Sequence, residues 1–252
     1  MPGLAMGRGI GHHSAMRSFI IHLPGDSKRA PNVDQLCRDL PDAHIVDAVN
    51  GRDPAQIAHV RPHPGNLIRP RYPFALTPAE IGVFQSHRAC WQRILDDGLE
   101  YALIAEDDLA VDLPRLARAL DLIRHHATPD MYIRLPVKAR ETATQELARD
   151  GDMALILPRV IGLQCICQVV GRDAARRLLA ATAQIDRPVD TLLQMHWITG
   201  QPVHALLPNG NREIAADLGG STIQTKIRGK GKLAREWNRA RYRTALWRHP
   251  QK

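Results

Sequence analysis

The sequence predicts an α/β fold: a mixed, mostly parallel sheet flanked by helices. Short apolar runs alternate with amphipathic stretches from about residue 18 to residue 208. The chain has 252 residues, 44% of them hydrophobic, which suits one large α/β domain or two small ones with an ample core. No apolar stretch reaches the roughly 18 residues that a membrane-spanning helix needs.

The elements follow in order. "SFIIHL" (18–23) is a first buried strand, and "DSKRAPNVDQLCRDL" is a turn and helix in which Pro31 should delay the helix start. "HIVDAVNGRD" (44–53) is a second strand that ends in a turn at Asn50-Gly51. Residues 59–75 hold four prolines and must be loop. "TPAEIGVFQSHRACWQRILDDG" (77–98) is the clearest helix. Thr77 is its N-cap, Pro78 lies in the first turn, Glu80 completes a capping box and Gly98 ends it. Ile81, Phe84, Trp91 and Leu95 form its apolar stripe, with Glu80 and His87 unexpectedly close to it. "EYALIAEDDLAVD" (100–112) carries a strand, and "LPRLARALDLIRHH" (113–126) a helix capped by Asp112. Strands follow at 130–135, 153–158 and 162–170, then a helix at 172–182, one helix at 189–199 and a last strand at 202–208.

The net charge of +8 is unevenly placed. Residues 226–252 hold ten Lys or Arg and one acid, Glu236, which leaves 24 basic and 25 acidic residues elsewhere. A neutral body argues against nucleic acid as a partner, and a basic tail suggests an electrostatic anchor on an anionic membrane surface. Trp237, Tyr242, Leu246 and Trp247 are interspersed in that tail. The N-terminal stretch is rich in Gly and His and lacks a signal-peptide core, so residues 1–17 read as a disordered leader, 18–225 as the domain and 226–252 as the tail. Cys37, Cys90, Cys165 and Cys167 have no zinc spacing and read as free thiols in a reducing cytoplasm, with the protein peripheral on the inner membrane.

The run Tyr101–Ala105 ends abruptly in Glu106, Asp107 and Asp108. In open α/β sheets ligands bind beyond the carboxyl ends of strands. Three adjacent carboxylates repel one another unless a cation is present. Alternation sends Glu106 and Asp108 to one side, where two oxygen donors can hold Mg²⁺ or Mn²⁺ and leave positions for water and phosphate oxygens. The competing reading is a polar cap after a strand.

The helix and the acids together resemble glycosyltransferase family 25, the bacterial lipooligosaccharide galactosyltransferases related to collagen galactosyltransferases. Leu76, Thr77, Glu80, Ile81, Gly82, Ser86, His87, Trp91, Glu106, Asp107 and Asp108 match its pattern. Ala79 and Val83 stand where the family has Gly and Cys. "IHLPGDSKR" keeps Leu23 and Arg29 in the family spacing, with His22 and Pro24 in place of Asn and Asp. "AVNGR" (48–52), "RPVDTLL" and "GGSTI" resemble further segments, whereas "GLQCICQVVGRDAARRLL" departs from the usual Tyr-containing strand.

The resemblance implies a GT-A-like fold, a nucleotide-sugar donor such as UDP-galactose, and a glycan or lipid-linked glycan acceptor. It implies that Glu106 faces the ribose or its water shell, with Asp107 beside it, and that Asp108 faces the bridging metal. The attacking hydroxyl needs a general base. Asp190 is the candidate, with Glu80 as a further catalytic carboxylate; a simple N-cap role for Asp190 competes. Arg29 is a candidate for the donor diphosphate, or a surface arginine. Ser86 and His87 are candidate donor contacts, or a self-bonded serine and a core histidine. Trp91 is core or a sugar-stacking platform. Three functions therefore compete: an inverting glycosyltransferase of surface-glycan synthesis, a binding-only relative that does not turn over, and a nucleic-acid binder that the neutral body disfavours.

Overall fold

The computed structural model describes residues 16–218 and 232–252. Most of the expected leader and the "GGSTI" stretch lie outside the described residues. The chain runs β1 (Arg17–His22), α1 (Ala30–Asp39), β2 (Ala43–Asp47), α2 (Pro54–Ile57), α3 (Pro78–Asp96), β3 (Tyr101–Glu106), β4 (Leu109–Ala110), α4 (Leu113–His126) and β5 (Tyr132–Arg134). It continues with β6 (Ala143–Asp150), β7 (Met153–Pro158), β8 (Cys167–Gly171), α5 (Arg172–Ala181), α6 (Val189–Leu193), α7 (His196–Thr199), β9 (Val203–Leu207), β10 (Arg212–Glu213) and α8 (Lys232–Arg248).

Eight strands form one mixed sheet in the order β2-β1-β3-β8-β5-β9-β7-β6, and β10 pairs with β4 in a small second sheet. β1 is parallel to β2 and β3, and β5 to β9. Antiparallel β8 separates these two parallel groups, and β7 and β6 add an antiparallel edge. The sheet is an α/β sheet of the GT-A-like kind. Its parallel character is confined to the two groups, because β8, β7 and β6 enter against their neighbours.

Both faces of the central strands are covered, so their sequences read as continuous apolar runs. Phe19, Ile21, Ile104 and Val170 face α3, α5 and α6 in one core, together with Phe84 and Trp91. Ile20, Leu103, Ile133 and Val169 face α1 and α4 in the other. Trp91 has no solvent exposure and belongs to the core, not to a sugar platform. Burying a side chain such as Phe19 or Phe84 contributes about 1.5–3 kcal/mol.

Two expectations change, and a strand forms in a stretch to which the sequence assigns no element. β6 is polar and exposed, and its "TQELAR" composition favours helix; pairing with β7 across the positive-φ Gly151 makes it an edge strand. The helix expected over 189–199 breaks at Met195, whose ψ of 54° leaves the helical region and whose Sδ accepts from the buried Arg187 guanidinium. The basic segment is not a separate tail. Tyr242 on α8 donates its hydroxyl to the Thr191 carbonyl or to Gln194 Oε1, each at 2.9 Å. Gln251 is buried, accepts from the Val203 N–H at 2.8 Å and donates to the Pro158 carbonyl at 2.8 Å. Cutting the chain at Thr225 would strip these partners from α6, β7 and β9, so the helix packs as part of the domain.

α3 lies hard against the loop after β2. An added Cβ on Gly82 would meet the Val49 carbonyl oxygen at 2.5 Å and the Gly51 nitrogen at 2.7 Å, both backbone atoms that cannot rotate away. Ser86, one turn on, accepts the Val49 N–H at 2.9 Å and donates to the Gly82 carbonyl at 2.8 Å. Gly82→Ala should therefore push the loop off the helix and cost about 1–3 kcal/mol in chemical denaturation. An unchanged midpoint would show that the loop yields freely.

Candidate active site

Parallel pairing of β1 with β3 sets Ile21 beside Glu106, which brings the ends of the two strands together. His22, the last residue of β1, then meets Asp107, the first residue after β3. Asp107 Oδ2 sits 2.8 Å from His22 Nδ1, and Asp107 Oδ1 binds the Arg29 guanidinium at the start of α1. Asn32 donates its amide to the Asp107 carbonyl at 2.8 Å and to the Leu109 carbonyl at 2.9 Å. Both oxygens of Asp107 are thus engaged within the protein, so it holds the turn in place and does not face outward for a donor. His22, a departure from the family pattern, is one of the groups that hold it.

Asp108 has a different environment. Its Oδ2 lies 3.3 Å from Arg29 Nη1, while its Oδ1 is buried with no hydrogen-bond partner. Burial pushes its carboxyl up to about 7, and the neighbouring Glu106, Asp107 and Glu213 add to the push against the opposing effect of Arg29. Glu213 arrives because β10 pairs with β4, opposite Leu109, and Ile214 N–H donates to the Asp108 carbonyl at 2.9 Å.

Glu106 closes the third side. Gln168 on β8 donates to His87 Nδ1 at 3.1 Å, which leaves the ring proton on Nε2, facing Glu106 Oε1 at 3.2 Å. His87 is fully buried, whereas the Glu106 side chain keeps 30% exposure. His87 therefore orients Glu106 from below. Ser86, whose hydroxyl both donates and accepts within the chain, orients the loop at 48–52.

These groups line a cleft with Arg29, Arg52, Asn50 and Gly51. Five acids border it (Asp26, Glu106, Asp107, Asp108 and Glu213) against two arginines, Arg29 and Arg52. That surplus of negative charge repels a diphosphate unless a cation enters with it. The orphaned Asp108 oxygen, the partly exposed Glu106 carboxylate and the all-oxygen donor set fit a hard divalent ion. Among the described residues no three His, Cys, Asp or Glu form a ready-made metal site, so water and phosphate oxygens would have to complete the shell.

Glu106, Val83 and Glu213 also border a second cavity of 380 Å³. It contains Asp190, Glu80 and Tyr72. Asp190 lies in the first turn of α6, where its Oδ1 accepts the Thr191 N–H at 2.7 Å and its Oδ2 the Gln164 N–H at 3.3 Å. It is not the N-cap, which is Pro188. Glu80 is held through Oε2 by the capping box, 2.7 Å from the Thr77 nitrogen. Tyr72 has its hydroxyl pushed up to about 12, first by burial and then by Glu80 and Asp190.

Tyr72, Glu213, Asn32 and Gln168 were not singled out in the sequence, and His22 stood out only as a departure from the family pattern. The loop carrying Tyr72 is pinned by the buried Asp186–Arg187 pair, which bonds Ile68 at both its N–H and its carbonyl. Only the acidic residue beside Arg187, in "IDRPVD", hints at this in the sequence.

Asp108 makes the stability of the ligand-free protein depend on pH. Its folded value is raised, so the native state keeps a proton that the unfolded chain releases. The contribution is full below the ordinary carboxylate value and is lost as pH rises toward about 7. With chelator present, wild type should lose up to about 1.4 kcal/mol per pH unit across that window through this group. Asp108→Asn should flatten the slope and raise the melting temperature at pH 8. A variant with the wild-type slope would show that Asp108 ionises freely in the fold.

Residues 16–193 match the family model described as glycosyltransferase family 25 (LPS biosynthesis protein). The match spans β1 through α6, and so takes in the acids after β3, the capped helix beneath them and Asp190. No helix among the described residues is long and apolar enough to cross a membrane. The chain belongs to glycosyltransferase family 25, and is a glycosyltransferase of LPS biosynthesis.

Proposed function

We propose that this glycosyltransferase moves a hexose, galactose first among the candidates, from a UDP-sugar to a hydroxyl of an LPS glycan with inversion. The observation that carries the reading is the pair of cavities that meet at Glu106. One is rich in acids around Asp108 and the other holds Asp190. A donor seated in the first presents its anomeric carbon toward the second. An acceptor hydroxyl entering the second cavity attacks that carbon. The new C–O bond forms as the bond to the diphosphate breaks, the hydroxyl proton passes to the Asp190 carboxylate, and UDP leaves with the electron pair.

Each residue has a task in that scheme. Asp190 is held by two backbone N–H groups, which fix the direction its carboxylate presents to an acceptor hydroxyl. Glu106, oriented by His87, lies where the two cavities join. Arg29 touches the cleft, but its charge is shared with Asp107 and Asp108, so it anchors the turn as much as it attracts phosphate. A divalent cation, Mn²⁺ or Mg²⁺, held by Asp108 and Glu106 would neutralise the charge that develops on the departing diphosphate.

The anionic membrane surface remains a proposed partner, now through a docked helix. Trp237 on α8 is 66% exposed among arginines such as Arg239, Arg241 and Arg243. Binding to anionic vesicles should fall with salt, and salt-independent pelleting would speak against a charge-based contact.

Purified protein given UDP-galactose, Mn²⁺ and lipid-free LPS core oligosaccharide should release UDP and extend the glycan. Asp190→Asn keeps the size of the side chain and removes its basicity. It should leave donor affinity unchanged and lower kcat by about 10²-fold or more. A near wild-type rate would move the base to Glu80, which borders the same cavity. Donor binding with no transfer by wild type would favour the binding-only reading.

A further inference from the structure

A third cavity, of 600 Å³, opens on the far side of the Asp190 pocket and shares Leu163 and Gln164 with it. Its charge is opposite. Arg134, Lys138, Arg140 and Arg159 line it against a single acid, Glu141. Glu141 is committed to Arg134, whose guanidinium is buried and also donates to the Leu163 and Gln164 carbonyls. That pair is neutral overall and fixes the wall. Lys138, Arg140 and Arg159 are exposed, and none has a carboxylate partner among the described residues. The backbone turn from Lys138 to Arg140, closed by a 3.0 Å hydrogen bond, holds two of them on one rim. Arg159 lies on the other rim, 5.9 Å from the Trp247 ring of α8. Trp247 is 71% exposed and borders the same cavity.

Three exposed cations without carboxylate partners give this cavity a positive field that attracts an anion. Guanidinium groups suit phosphate and carboxylate oxygens. The flat indole of Trp247 offers an apolar face for a sugar ring beside them. The neighbouring cavity, bordered by Glu80, Glu106, Asp190 and Glu213, repels the same anion. An acceptor with a neutral hydroxyl at one end and a negative group a residue or so away would be oriented by this contrast, hydroxyl toward Asp190 and anion toward Arg140 and Arg159.

We propose that this cavity is an acceptor subsite for a phosphorylated or carboxylated sugar unit, and that it selects acidic LPS glycans over neutral ones. The proposal rests on the reading of Asp190 as facing the acceptor hydroxyl. It adds the chemical class of acceptor and the residues that recognise it.

The test uses full-length protein and LPS core oligosaccharide freed of lipid, either phosphorylated or treated with phosphatase, with binding followed by calorimetry in the presence of UDP. Wild type should bind the phosphorylated form about tenfold more tightly or better, and the gap should narrow with salt. In the double variant Arg140→Gln/Arg159→Gln the two forms should bind alike, while affinity for UDP-galactose stays at the wild-type value. Equal binding of both forms by wild type, or a preference that survives in the variant, would overturn the proposal. Absence of UDP-galactose binding by wild type would instead be a failure of the proposed donor. Pelleting with phosphatidylglycerol vesicles separates a lipid headgroup from a glycan phosphate. It should be the same for wild type and variant, and a loss confined to the variant would assign the cavity to a headgroup and overturn the proposal. Lys138→Gln, at an exposed side chain with no carboxylate partner among the described residues, provides a single change that should weaken the preference without disturbing the fold, and no change in preference would count against the proposal.

Discussion

The structure of the site depends on one buried carboxylate. Asp107 is clasped by Arg29 and His22 through its side chain and by Asn32 through its carbonyl. This joins the end of β3 to the end of β1 and the start of α1, so the chain leaves the sheet in a fixed direction. Its neighbours on either side then face the cleft: Glu106 supported by His87, and Asp108 with an oxygen that no protein group satisfies. Removing either partner of a buried charged pair costs more than the pair contributes, since the remaining charge stays desolvated. The turn is therefore rigid because the alternatives are expensive.

Charge is then distributed by cavity. The cleft around Asp108 carries surplus acid, the middle cavity holds Asp190 and Glu80, and the outer cavity carries surplus base. A body that is nearly neutral in total hides this separation. The same three regions suit a cation with a diphosphate, a reacting hydroxyl, and an anionic sugar, in spatial sequence. The docking of α8 matters here because Trp247 forms part of the outer wall, so a segment that looks like an appendage by composition contributes to a site.

What could be seen in the sequence was local. The capping box of α3 joins residues three apart, the Asp112 cap lies at the first turn of its helix, and the acids follow directly on an apolar strand. What could not be seen depends on distant pairing. Arg29 and Asp107 are 78 positions apart, and Gln168 and His87 are 81. Glu213 reaches Asp108 only through the small β4–β10 pairing. β6 has the residues of a helix and becomes a strand because β7 offers it an edge. The basic C-terminal segment showed its charge and concealed its anchors, Tyr242 and Gln251, which are ordinary polar residues until their partners are known.

The central claim is that the turn held by Asp107 presents Asp108 and Glu106 to a cation that accompanies a diphosphate. Electron paramagnetic resonance of Mn²⁺, titrated with protein in the presence and absence of UDP, tests it directly. The account predicts weak Mn²⁺ binding by the protein alone, much tighter binding once UDP is added, and loss of that gain in Asp108→Ala. Mn²⁺ binding that is indifferent to UDP, or a gain that persists in Asp108→Ala, would contradict it.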